Sequence, residues 1–143
     1  MIDKIISGVS DALYKAFGNT YKIYKNQVEQ GLKEPCFSIV LLEPEHEAGL
    51  GRRYERTTPL CIHYFPKAYG NITELTGVIE KLFDALEYIT VFGTEDKLRG
   101  MDMHSETVDG VLSFFVTYKH TGYKETEDIP YMEVLSQSQN AKR

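Results

Sequence analysis

The chain has 143 residues, 42% hydrophobic and 26% charged, with a formal net charge of −5 at pH 7, and about 150 residues are enough for one domain with a sizeable core. The acidic balance argues against a protein whose main task is gripping nucleic acid, which needs a basic stripe. The N-terminus has no long apolar run, which argues against a signal peptide and a membrane span.

The first predicted element is an amphipathic helix over residues 2–17. Its apolar residues recur at helical spacing, and Gly18-Asn19 supplies the end of the helix. A short strand is predicted over residues 21–25, followed by a polar connection from Asn26 to Pro35. Both cysteines, Cys36 and Cys61, lie in apolar, strand-like runs. We therefore expect a reduced, buried pair, which fits synthesis in the cytosol.

Two long strands are predicted next. Cys36 to Leu42 is nearly continuous in apolar residues, which is typical of a central strand covered on both faces. Glu43 to Gly51 combines a proline and two glycines with charged residues, which predicts an exposed loop. Arg53 to Phe65 predicts the second strand, and Pro59 within it indicates an edge position or a bulge.

A second amphipathic helix is predicted from Leu75 to Leu86, with Asn71 or Thr73 as its cap. A brief strand follows over residues 88–92, and then a charged loop over residues 93–100.

The strongest local signal is Asp109-Gly110, which lies between two alternating runs and predicts a two-residue hairpin turn. The more apolar face is predicted to pair Met101, Met103, Ser105 and Thr107 with Tyr118, Val116, Phe114 and Leu112. The other face is predicted to pair Asp102, His104 and Glu106 with Thr117, Phe115 and Ser113. The two strands agree on which face is apolar, so we expect the helices there.

The order of elements predicts an α+β fold: one mainly antiparallel sheet with two amphipathic helices packed on one face. The opposite face mixes polar and apolar residues, as a subunit interface or a wetted lumen does. Residues 1–123 are expected to form a single domain. Residues 124–143 form a C-terminal extension whose apolar patch, Ile129 to Leu135, docks on its own domain or on a neighbouring subunit.

No catalytic or metal-binding constellation emerges. The four histidines form no metal-ligand pattern, although His63 and His104 lie on predicted strands and could meet across the sheet. The run Gly49-Leu50-Gly51-Arg52-Arg53 suggests phosphate binding, but it follows no strand–turn–helix pattern. A mobile loop that contacts a protein partner is the favoured interpretation.

Five segments, in order and at matching distances, resemble the tail terminator proteins of phages and phage-like elements of Gram-positive bacteria. They are Gly31 to Ile39, Leu50 to Tyr54, Ile62 to Pro66, Leu82 to Ile89 and Val108 to Val116. The resemblance implies a structural protein of the virion tail, assembled in the host cytoplasm, with no catalytic site and no cofactor. It also implies a ring, commonly a hexamer, that contacts the tail tube protein and a head-completion or connector protein. DNA would pass through its bore only transiently, and no membrane would be involved.

Two charged segments are the expected axial contacts: one carries Arg52 and Arg53, the other Glu95, Lys97 and Arg99. Mixed charges fix the register of a partner more than they add affinity. On the polar face of the hairpin, Asp102 and Glu106 are expected to face the lumen, where acidic groups would repel DNA. The alternatives are a head–tail joining or tail-completion protein, and a small ligand-binding or enzymatic α+β protein.

Overall fold

A computed structural model describes residues 1–25, 35–67 and 72–124 of the chain. The two helices are α1 (Ile2–Phe17) and α2 (Ile72–Ala85). The strands are β1 (Lys22–Tyr24), β2 (Cys36–Leu41), β3 (Glu45–Ala48), β4 (Arg53–Phe65), β5 (Tyr88–Thr90), β6 (Lys97–Val108) and β7 (Val111–Tyr123).

Both amphipathic helices form where their apolar spacing predicts them. α1 has the predicted bounds, and Gly18 closes it at φ 80° with its N–H donating to the Tyr14 carbonyl. α2 already begins at Ile72. Thr73 therefore lies inside the helix and is not its cap, while Asn71 lies outside the described residues.

The sheet is mixed but mostly antiparallel, in the order β1-β2-β4-β7-β6-β5, with β3 paired to β4. β1 runs parallel to β2, whereas the β2–β4, β5–β6 and β6–β7 pairs are antiparallel. The helices pack on one face, where apolar residues of both helices and of the sheet form one core. This confirms the predicted α+β architecture.

Strand β7 shows how the alternation of the sequence becomes a core. Leu112, Phe114, Val116 and Tyr118 are all buried, and the residues between them are only half-buried. A strand with one face on the core and one face open has this period of two.

Two segments predicted as loops contain strands. Residues 45–48 form β3, and β6 begins at Lys97, inside the predicted loop 93–100. All four residues of β3 are exposed, so its sequence carries no apolar alternation. It forms because pairing with β4 satisfies backbone N–H and C=O groups, which a sequence pattern does not reveal.

Pro59 lies in an interior strand, not at an edge of the sheet. It comes directly after the last β2–β4 pair, Leu41↔Leu60, and its carbonyl accepts a hydrogen bond from the Leu42 N–H at 3.0 Å. Pro59 therefore lacks its N–H at a position beyond the end of β2, where only one hydrogen bond at the end of the β2–β4 pairing is lost.

The β6–β7 hairpin confirms half of the predicted register. Asp109 and Gly110 form the turn, both with positive φ (52° and 78°), as a two-residue turn of the favoured type requires. Near the turn the predicted pairs form, including His104↔Phe115 and Glu106↔Ser113.

Further from the turn the predicted register is wrong. An irregularity between Met101 and His104 shifts the pairing, so Thr117 lies opposite Met101 instead of Asp102, and Tyr118 lies opposite Gly100. Asp102 adopts φ 53°, the left-handed conformation that accommodates a β-bulge. One extra residue moves all residues before it to the opposite face of the sheet.

The structure divides into two compact units. The first comprises Met1–Glu45 and Arg56–His120, and contains both helices and the core. The described residues of the second are His46–Glu55 and residues 121–124. The connection over residues 26–34 and the apolar patch Ile129 to Leu135 lie outside the described residues, so the predicted boundary at residue 123 and the docking of the patch stay predictions.

Candidate functional site

The first candidate contact is the turn of the β3–β4 hairpin, which carries Arg52 and Arg53. The Gly49 N–H donates to the Arg53 carbonyl at 2.7 Å, and the Arg53 N–H donates to the Leu50 carbonyl at 3.1 Å. Gly51 takes φ 63°. These bonds define a tight turn, and the Leu50 side chain at its apex is 90% exposed.

The end of β7 braces this hairpin within the second unit. The Lys124 N–H donates to the Arg52 carbonyl at 2.8 Å, and the Arg52 guanidinium donates to the Lys124 carbonyl at 3.4 Å. The rings of His46 and Tyr54 stack with centroids 4.9 Å apart. The expectation of a mobile loop is therefore replaced by a braced hairpin, although its residues 45–53 are all exposed.

The second candidate contact divides between a turn and a strand. Glu95 lies in an exposed turn, whereas Lys97 and Arg99 belong to β6. Arg99 forms an exposed salt bridge with Glu87 at 3.4 Å, and its guanidinium lies over the Tyr88 ring, 5.8 Å from the centroid. An exposed pair of this kind contributes little to stability.

The structure separates Asp102 from Glu106. Glu106 pairs with Ser113 on the face opposite the helices, as predicted. Asp102 lies in the bulge, and Met101 takes the place opposite Thr117 that was expected for it. Both carboxylates are exposed, but they do not follow one another along a single regular face.

On the same face, small polar groups cluster around His63. Its Nδ1 lies 3.0 Å from the Ser113 hydroxyl, and its Nε2 lies 3.7 Å from the Cys61 sulfur. His63 does not meet His104, whose ring stacks instead on Phe115 at 4.7 Å. Burial lowers the pKa of the His63 imidazole, so the ring is neutral at pH 7.

This cluster does not have the properties of a reactive site. Cys36 and Cys61 are buried and form no disulfide, as expected, and burial raises the pKa of the Cys61 thiol above its usual value. A thiol needs a lowered pKa and exposure to act as a nucleophile. Across residues 1–25, 35–67 and 72–124, no group of three His, Cys, Asp or Glu side chains is placed to hold a metal ion.

The structure adds a groove that the sequence did not reveal. It lies between α1 and β5 with a volume of about 440 Å³. Gly8, Ala12 and Ala16 form its helical side, and the exposed rings of Tyr88 and Phe92 line it from the sheet side. The signal in the sequence was the spacing of three small residues at i, i+4 and i+8, which leaves room beside a helix.

None of the described helices is long and apolar enough to cross a membrane. A family model for phage tail terminator proteins matches residues 4–130. The chain belongs to the phage tail terminator family. No curated protein matches it.

Family membership decides one of the earlier alternatives. Tail terminators are structural, non-enzymatic proteins, so the His63 cluster is part of a structural protein and the enzymatic alternative is wrong. The terminator is a phage tail component, and its family acts at the tail tube.

Proposed function

We propose that this tail terminator assembles as a ring, commonly a hexamer in proteins it resembles, on the last ring of the tail tube. There it stops polymerisation of the tube and provides the surface to which the head-completion or connector protein attaches. The family match over residues 4–130 carries this proposal, because it covers nearly the whole chain.

The covered β5 edge of the sheet supports assembly through side chains instead of strand addition at that edge. Gly8 of α1 lies directly against the Thr90 carbonyl of edge strand β5. The Phe92 N–H, just beyond that strand, donates to the Lys4 carbonyl at 3.1 Å. Open sheet edges recruit further strands without control, whereas a helix over the edge prevents this. A closed ring of defined size needs such specificity.

Charged groups supply candidate contacts for that assembly. We propose that Arg52, Arg53, Glu95, Lys97 and Arg99 contact protein partners in the assembled tail. All five lie on the exposed surface. Because exposed charges act mainly on orientation and association rate, replacing them should change the joining of parts more than the stability of the subunit.

The open face of the β6–β7 hairpin is proposed to line the bore. Glu106 lies on this face and Asp102 lies in the bulge beside it. Acidic groups along the bore would repel passing DNA, whereas a basic wall would hold its phosphates. A ring structure with both carboxylates on its outer rim would contradict this assignment.

Deleting the gene from its parent element and measuring tail lengths by negative-stain microscopy tests the main proposal. Loss of a terminator should give tubes of uncontrolled length, because nothing then stops polymerisation. Complementation with the intact gene is the control and should restore normal lengths. Unattached tails of normal length would instead indicate a head–tail joining or tail-completion protein.

A further inference from the structure

The tip of the β3–β4 hairpin, residues 49–53, presents an apolar side chain where turns are usually polar. Leu50 is 90% exposed, the largest exposure among the big hydrophobic residues of the described chain. The two hydrogen bonds between residues 49–53 hold it outward, so docking would require little ordering of the backbone. Arg52 and Arg53 follow it in the same hairpin and carry two positive charges.

The α1–β5 groove has the complementary features. Its volume of about 440 Å³ lies within the range of about 300–1,000 Å³ that is usual for binding pockets. Small residues make its floor, and Tyr88 and Phe92, each 56% exposed, are open to a partner. Half-open aromatic rings around a small-residue floor are typical of the pocket into which an apolar anchor inserts.

The charges around the groove also match those of the hairpin tip. Asp11 lines the groove, and Glu95 and Asp96 directly follow Thr94, which lines it too. Lys15 is the single basic side chain that lines the groove. The lining itself carries one acid and one base, and the exposed Glu95 and Asp96 beside it add the negative charge that would attract the two arginines that follow Leu50.

We propose that the hairpin tip of one copy docks into the α1–β5 groove of a second copy, with Leu50 as its apolar anchor and Arg52 and Arg53 beside the acids. The two surfaces are different, so the contact is heterologous, the kind that closes a ring. The inference rests on the proposed ring, and assigns Arg52 and Arg53 to the contact between subunits instead of the axial contacts expected from the sequence.

Disulfide trapping between two full-length variants tests the contact. One variant carries Leu50→Cys and the other Ala12→Cys, and both are produced together with the tail tube protein in the same cells. The native Cys36 and Cys61 are buried and should stay unreacted. Mild oxidation should give a cross-linked dimer of one chain of each variant. The matched control pairs Leu50→Cys with Thr107→Cys, an exposed position on the β6–β7 hairpin, and should give none.

A second measurement distinguishes an effect of Leu50 on association between subunits from an effect on folding. Leu50→Ala should weaken association between subunits by about tenfold or more, whereas Leu50→Met should preserve it. Because Leu50 is exposed, neither change should alter the unfolding midpoint. The double variant Arg52→Glu and Arg53→Glu should also weaken association, and adding Asp11→Lys and Asp96→Lys should restore part of it.

Failure of this contact is distinguishable from failure of the proposed function. If tails keep normal length and rings form, but Leu50→Cys and Ala12→Cys give no more cross-link than the control pair, the contact is wrong and the terminator function stands. If gene deletion leaves tail length unchanged, the terminator function is wrong whatever the cross-link shows. Equal association of the Leu50→Ala and Leu50→Met variants would also overturn the contact.

Discussion

Replacing Gly8 by alanine should destabilise the protein, although this exchange usually stabilises a helix. In a helix interior, alanine is favoured over glycine by about 0.5–1 kcal/mol. At position 8, however, the added Cβ would lie 2.3 Å from the Thr90 carbonyl oxygen, and real Cβ atoms stay beyond 3.0 Å of such atoms. The helix and β5 must therefore separate by at least about 0.7 Å, the difference between these two distances.

The size of the effect follows from what has to move. The neighbour is backbone and cannot rotate away, and the Lys4–Phe92 hydrogen bond ties the start of α1 to the chain after β5. Overpacking costs about 1–3 kcal/mol, and a rigid neighbour favours the upper end. Once the higher helix propensity of alanine is subtracted, the free energy of unfolding should fall by about 2 kcal/mol. In a protein of this size, that lowers the melting temperature by about 4–8 °C.

Thermal and urea unfolding followed by circular dichroism would measure this loss. The matched control is Gly77→Ala in α2, where an added Cβ meets nothing within 4 Å. It should raise the melting temperature by about 2–4 °C. If Gly8→Ala is as stabilising as Gly77→Ala, the close contact between α1 and β5 does not exist, and the shape of the groove is also in doubt.

Three further predictions concern a buried hydroxyl, two histidines and the bulge. Tyr118→Phe should cost about 1–2 kcal/mol of unfolding free energy in urea, because the Tyr118 hydroxyl donates to the Leu86 carbonyl at 2.7 Å; an unchanged midpoint would contradict this. The pKa values of His63 and His120 lie below the usual 6.5 because of burial, so the unfolded state binds more protons. Stability should be complete above pH 6.5 and fall as the pH drops through 6.5 towards the lowered values. Replacing both histidines by glutamine should make the urea midpoint of unfolding depend less on pH between about pH 5 and 8. If the midpoint of the double variant changes with pH as it does in the original protein, the two histidines do not cause the dependence. Asp102→Val should cost about 1–2 kcal/mol because residue 102 has φ 53°, while Asp102→Gly should not destabilise; equal losses in thermal unfolding would argue against the bulge.

The sequence by itself determined the elements that depend on local pattern. The apolar spacing over residues 2–17, together with Gly18, was enough to predict both ends of α1. Helix bounds can be predicted in this way because they depend on residues that are close in sequence. Asp109-Gly110 fixed the β6–β7 turn, since few residues tolerate positive φ at two successive positions. The ordered motifs between residues 31 and 116 also pointed to the tail terminator family, which the family match over residues 4–130 confirms.

Tertiary structure alone decided the features that depend on partners distant in sequence. Strand β3 has four exposed residues and exists because β4 lies beside it, so no apolar alternation announced it. Asp102 and Glu106 were expected on one face of the hairpin, but the bulge at Asp102 separates them. One extra residue in a strand moves the side chains before it to the opposite face of the sheet. The α1–β5 groove likewise required the packing of Gly8 against Thr90, a contact between residues 82 positions apart that no local pattern encodes.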